Sequence, residues 1–220
     1  DMVSRGLGDV YKRQFIDSGK IIHASDLVIG ITQSGETAET IKALEYAKNK
    51  KAKTIAVVEK SSSQASIISD LTINIGSGSE YAVASTKTFT STTISLYILS
   101  KYIYSKKQNI DFDHNEIVNE LEELNDKVAL ILNDQHKIKE ISKEFSKLKH
   151  ILFLGRDIMY PVAMEGALKM KEVCYIHAEA YPAGEMKHGV NALIGEKMPS
   201  LVMAPTGISL QTIPTCSKPF

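Results

Sequence analysis

The chain has 220 residues, of which 43% are hydrophobic and 24% are charged, and 26 basic residues balance 26 acidic ones to give a formal net charge of zero. This composition predicts a globular protein with a sizeable core. It offers no basic excess for a nucleic-acid backbone, and no apolar run reaches the roughly 18 to 20 residues of a membrane helix, so we expect neither nucleic acid nor membrane as a partner. Two cysteines far apart in sequence, Cys174 and Cys216, favour a reducing, cytoplasmic setting.

The first part of the chain predicts an open parallel α/β sheet flanked by helices. Residues 1–14 follow no clear period, and we leave them unassigned because non-native sequence and a flexible arm are both consistent with them. From Asp26 onwards, short β-branched runs alternate with segments of helical spacing, which is typical of this fold class. Strands are predicted at 27–31, 54–58 and 71–75.

The middle of the chain predicts three helices. The first extends from about Ser85 to Tyr104 and carries enough apolar residues that we expect it to be largely buried. Two amphipathic helices follow, one with an apolar face from Ile117 to Ile131 and one with an apolar face from Ile138 to Leu148.

The last part of the chain repeats the opening pattern. A strand begins at Ile151, a helix follows over about 160–175, and a last strand lies near 201–204. We expect a second α/β domain that is truncated at its C-terminus. The predicted domains are an N-terminally trimmed first domain (15–110), connecting helices (111–148) and the second domain (149–220).

The first predicted strand is followed by a turn, Thr32–Thr37, that holds three hydroxyls, one amide and one glycine. Backbone N–H groups at a helix start and hydroxyl donors suit a phosphomonoester, and open α/β sheets bind ligands beyond the carboxyl ends of their strands. Ser34 and Thr37 would also serve as ordinary helix caps. Both interpretations stay open from these residues alone.

A second hydroxyl cluster, Ser85–Thr88, follows the third predicted strand and a glycine-rich loop. Two such clusters at one crevice would strengthen the phosphate interpretation. Serine and threonine are common caps, however, and at this cluster the capping interpretation is the stronger one.

The predicted helix near residue 170 carries Glu165, Lys169 and Glu172 at spacings of four and three, which places them on one stripe. Such a stripe is most often a solvated ladder of ion pairs. The segment from His177 to His188 then brings further titratable groups, which we interpret as a loop that helps to assemble an acid–base pair. We predict no metal site and no cofactor, because the histidines match no known metal-ligand spacing.

Three segments together carry a resemblance to a known family: ITQSGETAET, YAVASTKTFT and EGALKMKEVCYIHAEAYPAGEMKHG. They resemble the isomerase half of the glucosamine 6-phosphate synthase family, also called the glutamine:fructose-6-phosphate aminotransferase (isomerizing) family. That half is built from two sugar isomerase (SIS) domains. The resemblance implies one nearly complete SIS domain followed by a truncated second one.

The resemblance also implies roles for nine residues. The phosphate of fructose 6-phosphate would be bound by Thr32, Gln33, Ser34 and Thr37, and the sugar would be contacted by Val83 and Ser85. Glu172 would move the proton between C1 and C2, Lys169 would assist proton transfers at the sugar oxygens, and His188 would act in ring opening.

What the resemblance implies for function is conversion of fructose 6-phosphate to glucosamine 6-phosphate. The ammonia would come from a glutaminase domain that is absent from this chain, and the Schiff-base lysine would lie beyond Phe220. We therefore do not expect full aminotransferase activity from this polypeptide by itself. A homodimer is expected, because the histidine reaches the site from the neighbouring subunit in that family. The alternative is a SIS module that binds a phosphosugar or regulates without catalysis, and a related deglycase or ketose isomerase is disfavoured by the HAEAYPAGEMKHG segment.

Overall fold

The computed structural model of the chain describes residues 21–204. The chain divides into two compact units, the first ending at Ile117 and the second beginning at Val118. Each unit contains a parallel sheet flanked by helices, so the predicted fold class is confirmed. The expectations for residues 1–14 and for the C-terminal end of the chain lie outside the described residues.

The sheet of the first unit has three parallel strands in the order β1-β2-β3. Ile29 pairs with Ile55 and Ile55 pairs with Leu71, so all three strands end at the same edge. The elements of this unit are β1 (Leu27–Ile31), α1 (Ala38–Asn49), β2 (Lys53–Val58), α2 (Gln64–Ile68), β3 (Leu71–Asn74) and α3 (Lys87–Gln108). A further helix, α4 (His114–Asn133), begins in this unit and continues into the second.

The central strand β2 is buried on both faces, as expected for a strand covered by helices on both sides. On one face, Leu44 of α1 packs against Ala56 and Val58. Gly30 of β1 makes this close packing possible, because a Cβ atom at that position would lie 2.7 Å from a Leu44 methyl carbon. On the other face, residues of α3 pack against the sheet, and this cluster consists of Ile55, Val57, Ile75, Ile29, Ile73, Leu96 and Leu99.

The expectation that the helix α3 is largely buried is wrong for this chain. Its buried residues are two hydroxyl side chains, Thr88 and Ser105, whereas Phe89 is 44% exposed and Tyr104 is 58% exposed. The reason is that a helix lying on one face of a sheet buries one stripe, and apolar residues elsewhere on its circumference face outwards.

The sheet of the second unit has the order β5-β4-β6, again with all strands parallel. Its core lies between this sheet and the helix α6, where Ile151 and Phe153 contact Ala163, Ala167 and Ala178. The elements that follow α4 are α5 (Gln135–Phe145), β4 (His150–Gly155), α6 (Met159–Cys174), β5 (His177–Pro182), two 3-10 helices (Ala183–His188 and Val190–Leu193) and β6 (Ser200–Met203).

The interpretation of the segment from His177 to His188 as a loop is wrong for its first half. Residues 177–182 form the strand β5, which pairs with β4 along its whole length. Its sequence, HAEAYP, alternates polar side chains with alanine, and Ala178 is fully buried while His177 and Glu179 are exposed. That alternation is the period of a half-buried strand.

The two amphipathic helices form as predicted, as α4 and α5. Their apolar stripes are buried only at one end: Ile117 is 6% exposed, and Phe145 and Leu148 pack against the core of the second unit. Leu124, Val128, Ile138 and Ile141 are between 41% and 54% exposed. Among the helices in residues 21–204, none is both long and apolar enough to cross a membrane.

Candidate functional site

The hydroxyl-rich turn follows β1 at the carboxyl edge of the first sheet. The N–H of Thr32 donates to the carbonyl oxygen of Val57, which extends the pairing of β1 with β2 by one residue. The side chain of Thr32 is buried, and its hydroxyl lies 2.7 Å from the hydroxyl of Thr37. Gln33 and Ser34, between them, are exposed.

Gly35 gives the turn its shape. Its φ of 71° lies in the left-handed region that glycine adopts without strain. A Cβ atom at this position would overlap the side chain of Ser63, which is 3% exposed. The carbonyl oxygen of Gly35 accepts from the N–H of Ala65, and Glu36 accepts from the N–H of Gln64 at 3.0 Å. The start of α2 is therefore attached to the turn and holds it in place.

The helix start after this turn is not capped by the side chain of its N-cap residue. Thr37 occupies the N-cap position of α1, but its hydroxyl pairs with Thr32 and makes no capping hydrogen bond. The hydroxyl of Ser34 accepts from the N–H of Glu36 at 3.1 Å. The N-cap side chain therefore does not use the N–H groups of the first turn of α1, which can donate to a ligand. The helix dipole favours an anion at this position.

Glu59, which directly follows β2, joins the turn to the loop after β3. Its N–H donates to the carbonyl oxygen of Gln33. Its carboxylate accepts from the hydroxyl and N–H of Ser77, both at 2.8 Å, and from the N–H of Gly78 at 2.9 Å. The pKa of Glu59 is held below its ordinary value, chiefly by the hydrogen bond from the Ser77 hydroxyl. The N–H groups of Ser77 and Gly78 and the charge of Lys87 lower it further.

Glu80 occupies the start of α3. Its carboxylate accepts from the hydroxyl and N–H of Thr88 at 2.8 and 3.1 Å, and from the N–H and hydroxyl of Thr86, both at 3.3 Å. These hydrogen bonds hold the pKa of Glu80 below its ordinary value, and the bond from the Thr88 hydroxyl has the largest effect. Because a carboxylate already accepts from this helix start, the two hydroxyl clusters differ: the start of α1 is open to an anion, and the start of α3 is filled.

The remaining predicted residues of the first unit lie on the loop between β3 and α3. Val83 is 99% exposed, and Ser85 is half-buried beside the buried Ala84. Their assignment to sugar contacts stays a prediction. What the structure adds is that the loop is attached at both ends, by Glu59 at its start and by Glu80 at its end.

The predicted acid–base residues of the second unit lie on α6. The ammonium Nζ of Lys169 is 2.6 Å from Oε2 of Glu172 and 3.3 Å from Oε1 of Glu165. All three side chains are less than one-third exposed. Burial lowers the pKa of Lys169, but hydrogen bonds to Glu172 and Glu165, together with their charges, outweigh burial and raise it above its ordinary value. Lys169 is therefore a cation held between two carboxylates.

His188 ends the first 3-10 helix of the second unit. Its Nε2 is 3.9 Å from Oε2 of Glu185, and its side chain is 63% exposed. Within residues 21–204, no hydrogen bond or ion pair joins His188 to Lys169 or Glu172. The structure thus brings together two of the three predicted catalytic residues.

Two residues that organise the first unit, Glu59 and Glu80, were not singled out from the sequence. Glu59 follows a buried β-branched strand directly, and an acidic residue at the carboxyl end of such a strand is the signal that would have drawn attention to it. Glu80 carries no comparable signal, because its six- and eight-residue separations from Thr86 and Thr88 match no local capping pattern. In the described part of the chain, no group of three or more His, Cys, Asp or Glu side chains is placed to hold a metal ion.

Comparison with protein families finds one family model that matches most of this chain. The SIS domain model matches residues 13–101 and 144–217. The two matched segments include the Thr32–Thr37 turn in the first unit and the α6 helix in the second.

Individual relatives are similar over most of this chain but are much longer. The glutamine–fructose-6-phosphate aminotransferase (isomerizing) of Aquifex aeolicus is 42% identical over 196 residues, which is 89% of this chain and 32% of the relative. The enzyme of the same name from Chlorobaculum tepidum is 43% identical over 195 residues, 88% of this chain and 32% of the relative. The chain thus spans about a third of the length of the curated relatives that it matches.

Among solved structures, the chain is similar to the C-terminal domain of glucosamine-fructose-6-phosphate aminotransferase from Francisella tularensis. The identity is 39% and the TM-score is 0.75, and the match covers 84% of this chain and 52% of that chain.

Proposed function

This chain belongs to the SIS domain family, and on that premise we propose that it is the sugar-phosphate isomerase portion of a glucosamine 6-phosphate synthase. Its substrate is fructose 6-phosphate, its product is glucosamine 6-phosphate, and the ammonia is supplied by a glutaminase domain. The observation that carries the proposal is the ammonium of Lys169 held between Glu165 and Glu172 on one side of α6.

The phosphate is bound at the Thr32–Thr37 turn. The start of α1 offers N–H groups and the positive end of the helix dipole, and Ser34 and Gln33 are exposed beside it. Such a site binds a phosphomonoester through hydroxyl and N–H donors. This mode of binding agrees with a chain whose net charge is zero.

Glu172 is the base of the isomerisation. Conversion of a ketose-derived imine to an aldose amine requires a group that takes a proton from C1 and returns it at C2, and one carboxylate held over that edge of the sugar performs both transfers. Lys169 is protonated at neutral pH, as an ordinary lysine is, and its pKa is raised further above the ordinary value. It supplies a proton donor for the sugar oxygens.

Solvent exchange at C1 tests this assignment. The chain is incubated with fructose 6-phosphate and ammonium in heavy water, and loss of the C1 proton signal is followed by NMR. We expect exchange for the wild type and none for Glu172→Gln. The matched control is Glu123→Gln, which removes a carboxylate from another helical ion pair, that with Lys127 at 3.3 Å. Retained exchange in Glu172→Gln would remove Glu172 from the role of base.

The second candidate is a SIS module that binds a phosphosugar without catalysis. It is favoured by one observation: the side chain of His188 is 63% exposed and, among the described residues, makes no hydrogen bond or ion pair with Lys169 or Glu172. A wild-type chain that binds fructose 6-phosphate and shows no exchange at C1 would support this candidate over the isomerase.

A homodimer would reconcile the exposed position of His188 with a role in catalysis, because His188 of one copy would complete the site of the other. Mixing two inactive variants tests this arrangement. If the histidine acts between copies, Glu172→Gln and His188→Ala chains together recover part of the exchange that each lacks alone. If the mixed variants form dimers and recover no exchange at C1, His188 does not act on the Glu172 site of the other copy.

A further inference from the structure

Two histidines lie side by side at the amino end of the second sheet. His150 is the first residue of β4 and His177 is the first residue of β5, and the two are paired in register across the parallel strands. Their Nδ1 atoms are 3.2 Å apart, and their ring centroids are 5.3 Å apart with the ring planes at 74°. Both side chains are exposed, so the pair is accessible from solvent.

A carboxylate holds the outer side of the His177 ring. Nε2 of His177 is 3.4 Å from Oε1 of Glu179, and Oε2 of Glu179 accepts from the hydroxyl of Tyr181 at 2.7 Å. The three residues alternate along β5 and therefore project from the same face of the strand. A hydrogen on Nε2 of His177 would face this carboxylate, and the lone pair of Nδ1 would then lie on the side of His150.

We propose that His150 and His177 form a binding site for a borderline divalent metal ion such as Zn²⁺, which is bound by the two Nδ1 atoms with water at its remaining positions. Zinc binds imidazole nitrogen at about 2.0–2.1 Å. Two nitrogens 3.2 Å apart at that bond length subtend an angle of about 100° at the metal. This angle lies close to the tetrahedral geometry that zinc adopts.

The surroundings of His177 match the pattern of a metal ligand. A histidine that binds a metal commonly donates its other ring N–H to a carboxylate, which is itself held by a hydrogen bond. Glu179 lies 3.4 Å from Nε2 of His177, close to the position that this pattern requires, and it is held by the hydrogen bond from the Tyr181 hydroxyl. Without metal, the two Nδ1 atoms share one hydrogen, and metal binding moves that hydrogen of His150 to its Nε2.

The identity of the ion follows from the donor atoms. Two imidazoles favour zinc, copper and nickel over magnesium and calcium, which prefer oxygen donors. Cu²⁺ is expected to bind more tightly than Zn²⁺ or Ni²⁺, as in other nitrogen sites. This site uses none of the residues assigned to phosphosugar binding or isomerisation, so the inference stands apart from the proposed function.

Calorimetric titration of the full chain with ZnCl₂ tests the proposal. At pH 7.5 we expect one equivalent of Zn²⁺ bound to the wild type, and at least a tenfold loss of affinity in His150→Ala and in His177→Ala. Glu179→Gln keeps both ligands and is expected to weaken binding about 10- to 100-fold. The matched control is His136→Ala, which removes an exposed histidine that is also beside a glutamate, at 3.7 Å.

Two further readouts separate this site from general metal binding. Because protons compete with the metal for imidazole, binding by the wild type is expected to weaken strongly at about pH 5.5. With Cu²⁺, the electron paramagnetic resonance spectrum is expected to show coupling to two equivalent imidazole nitrogens. Wild-type affinity in the His150→Ala, His177→Ala double variant would overturn the proposal, as would the absence of binding by the wild type.

Discussion

The carboxylate of Glu80 accepts two hydrogen bonds from Thr88, one from its hydroxyl at 2.8 Å and one from its N–H at 3.1 Å. This pair fixes the start of α3 and with it the end of the loop that carries Val83 and Ser85. Glu59 fixes the start of the same loop through Ser77 and Gly78. Two acidic residues thus determine the conformation of a loop whose predicted role is to contact a sugar.

The first prediction concerns the pH dependence of stability. The pKa of Glu80 in the folded chain is below its ordinary value of 4.5. A lowered pKa means that the stabilisation is complete above the pKa of the unfolded chain and is lost as the pH falls through the folded value. Urea denaturation between pH 3 and 6 is therefore expected to show an acid-dependent loss of stability that is smaller in Glu80→Gln.

Glu45→Gln is the control for this prediction, because it removes a carboxylate at an exposed position of α1. It is expected to retain the acid-dependent loss of the wild type. A Glu80→Gln chain with the same pH profile as the wild type would show that Glu80 does not hold the start of α3 in solution.

The second prediction concerns Gly35. The substitution Gly35→Ala places a side chain in a left-handed conformation and against Ser63, so we expect a loss of about 1–3 kcal/mol in the free energy of unfolding. Equilibrium denaturation measures this change. Gly184→Ala is the matched control, because a Cβ atom there meets nothing within 4 Å. Equal stability of the two variants would contradict the described shape of the turn.

The third prediction concerns the packing of α1 on the first sheet. Leu44 is 1% exposed and fills the space above Gly30, Ala56 and Val58. Leu44→Ala is expected to reduce the free energy of unfolding of the first unit by about 2–5 kcal/mol, because it removes buried surface and leaves a cavity. Ile67→Ala, at a position that is 70% exposed, is the control and should change stability little. A loss below 1 kcal/mol in Leu44→Ala would contradict the packing described for this face.

Much of the fold could be predicted from the sequence, because the relevant signals are local. The β-branched runs predicted the strands β1 and β2, and the alternation of strands and helices with short links predicted a parallel sheet. The strand that begins at His177 was missed because its polar residues were interpreted as part of an acid–base loop. Their alternation with alanine is the pattern of a half-buried strand. The burial of α3 was overestimated because composition does not show how much of a helix surface a sheet covers.

The candidate site could be predicted in its residues but not in its contacts. The spacing of Glu165, Lys169 and Glu172 along one helix fixes their proximity, and the structure agrees. The bond between Thr32 and Thr37 depends on the left-handed Gly35 and was not accessible from spacing. The role of Glu59 depends on a loop that follows the neighbouring strand, and the role of Glu80 depends on the path of the loop between β3 and α3. Neither role followed from local sequence.

If the Thr32–Thr37 turn binds the phosphate of a sugar phosphate, its hydroxyls contribute to the affinity for fructose 6-phosphate, which calorimetric titration measures. The Ser34→Ala, Thr37→Ala double variant removes two hydroxyl donors, and a hydrogen bond to a charged group contributes about 1.5–3 kcal/mol. The control is the Thr93→Ala, Ser100→Ala double variant, which removes one threonine and one serine hydroxyl from exposed positions of α3. We expect at least a tenfold weaker affinity for the first variant and wild-type affinity for the second. Equal affinity for fructose 6-phosphate in all three chains would show that the phosphate is not bound at this turn.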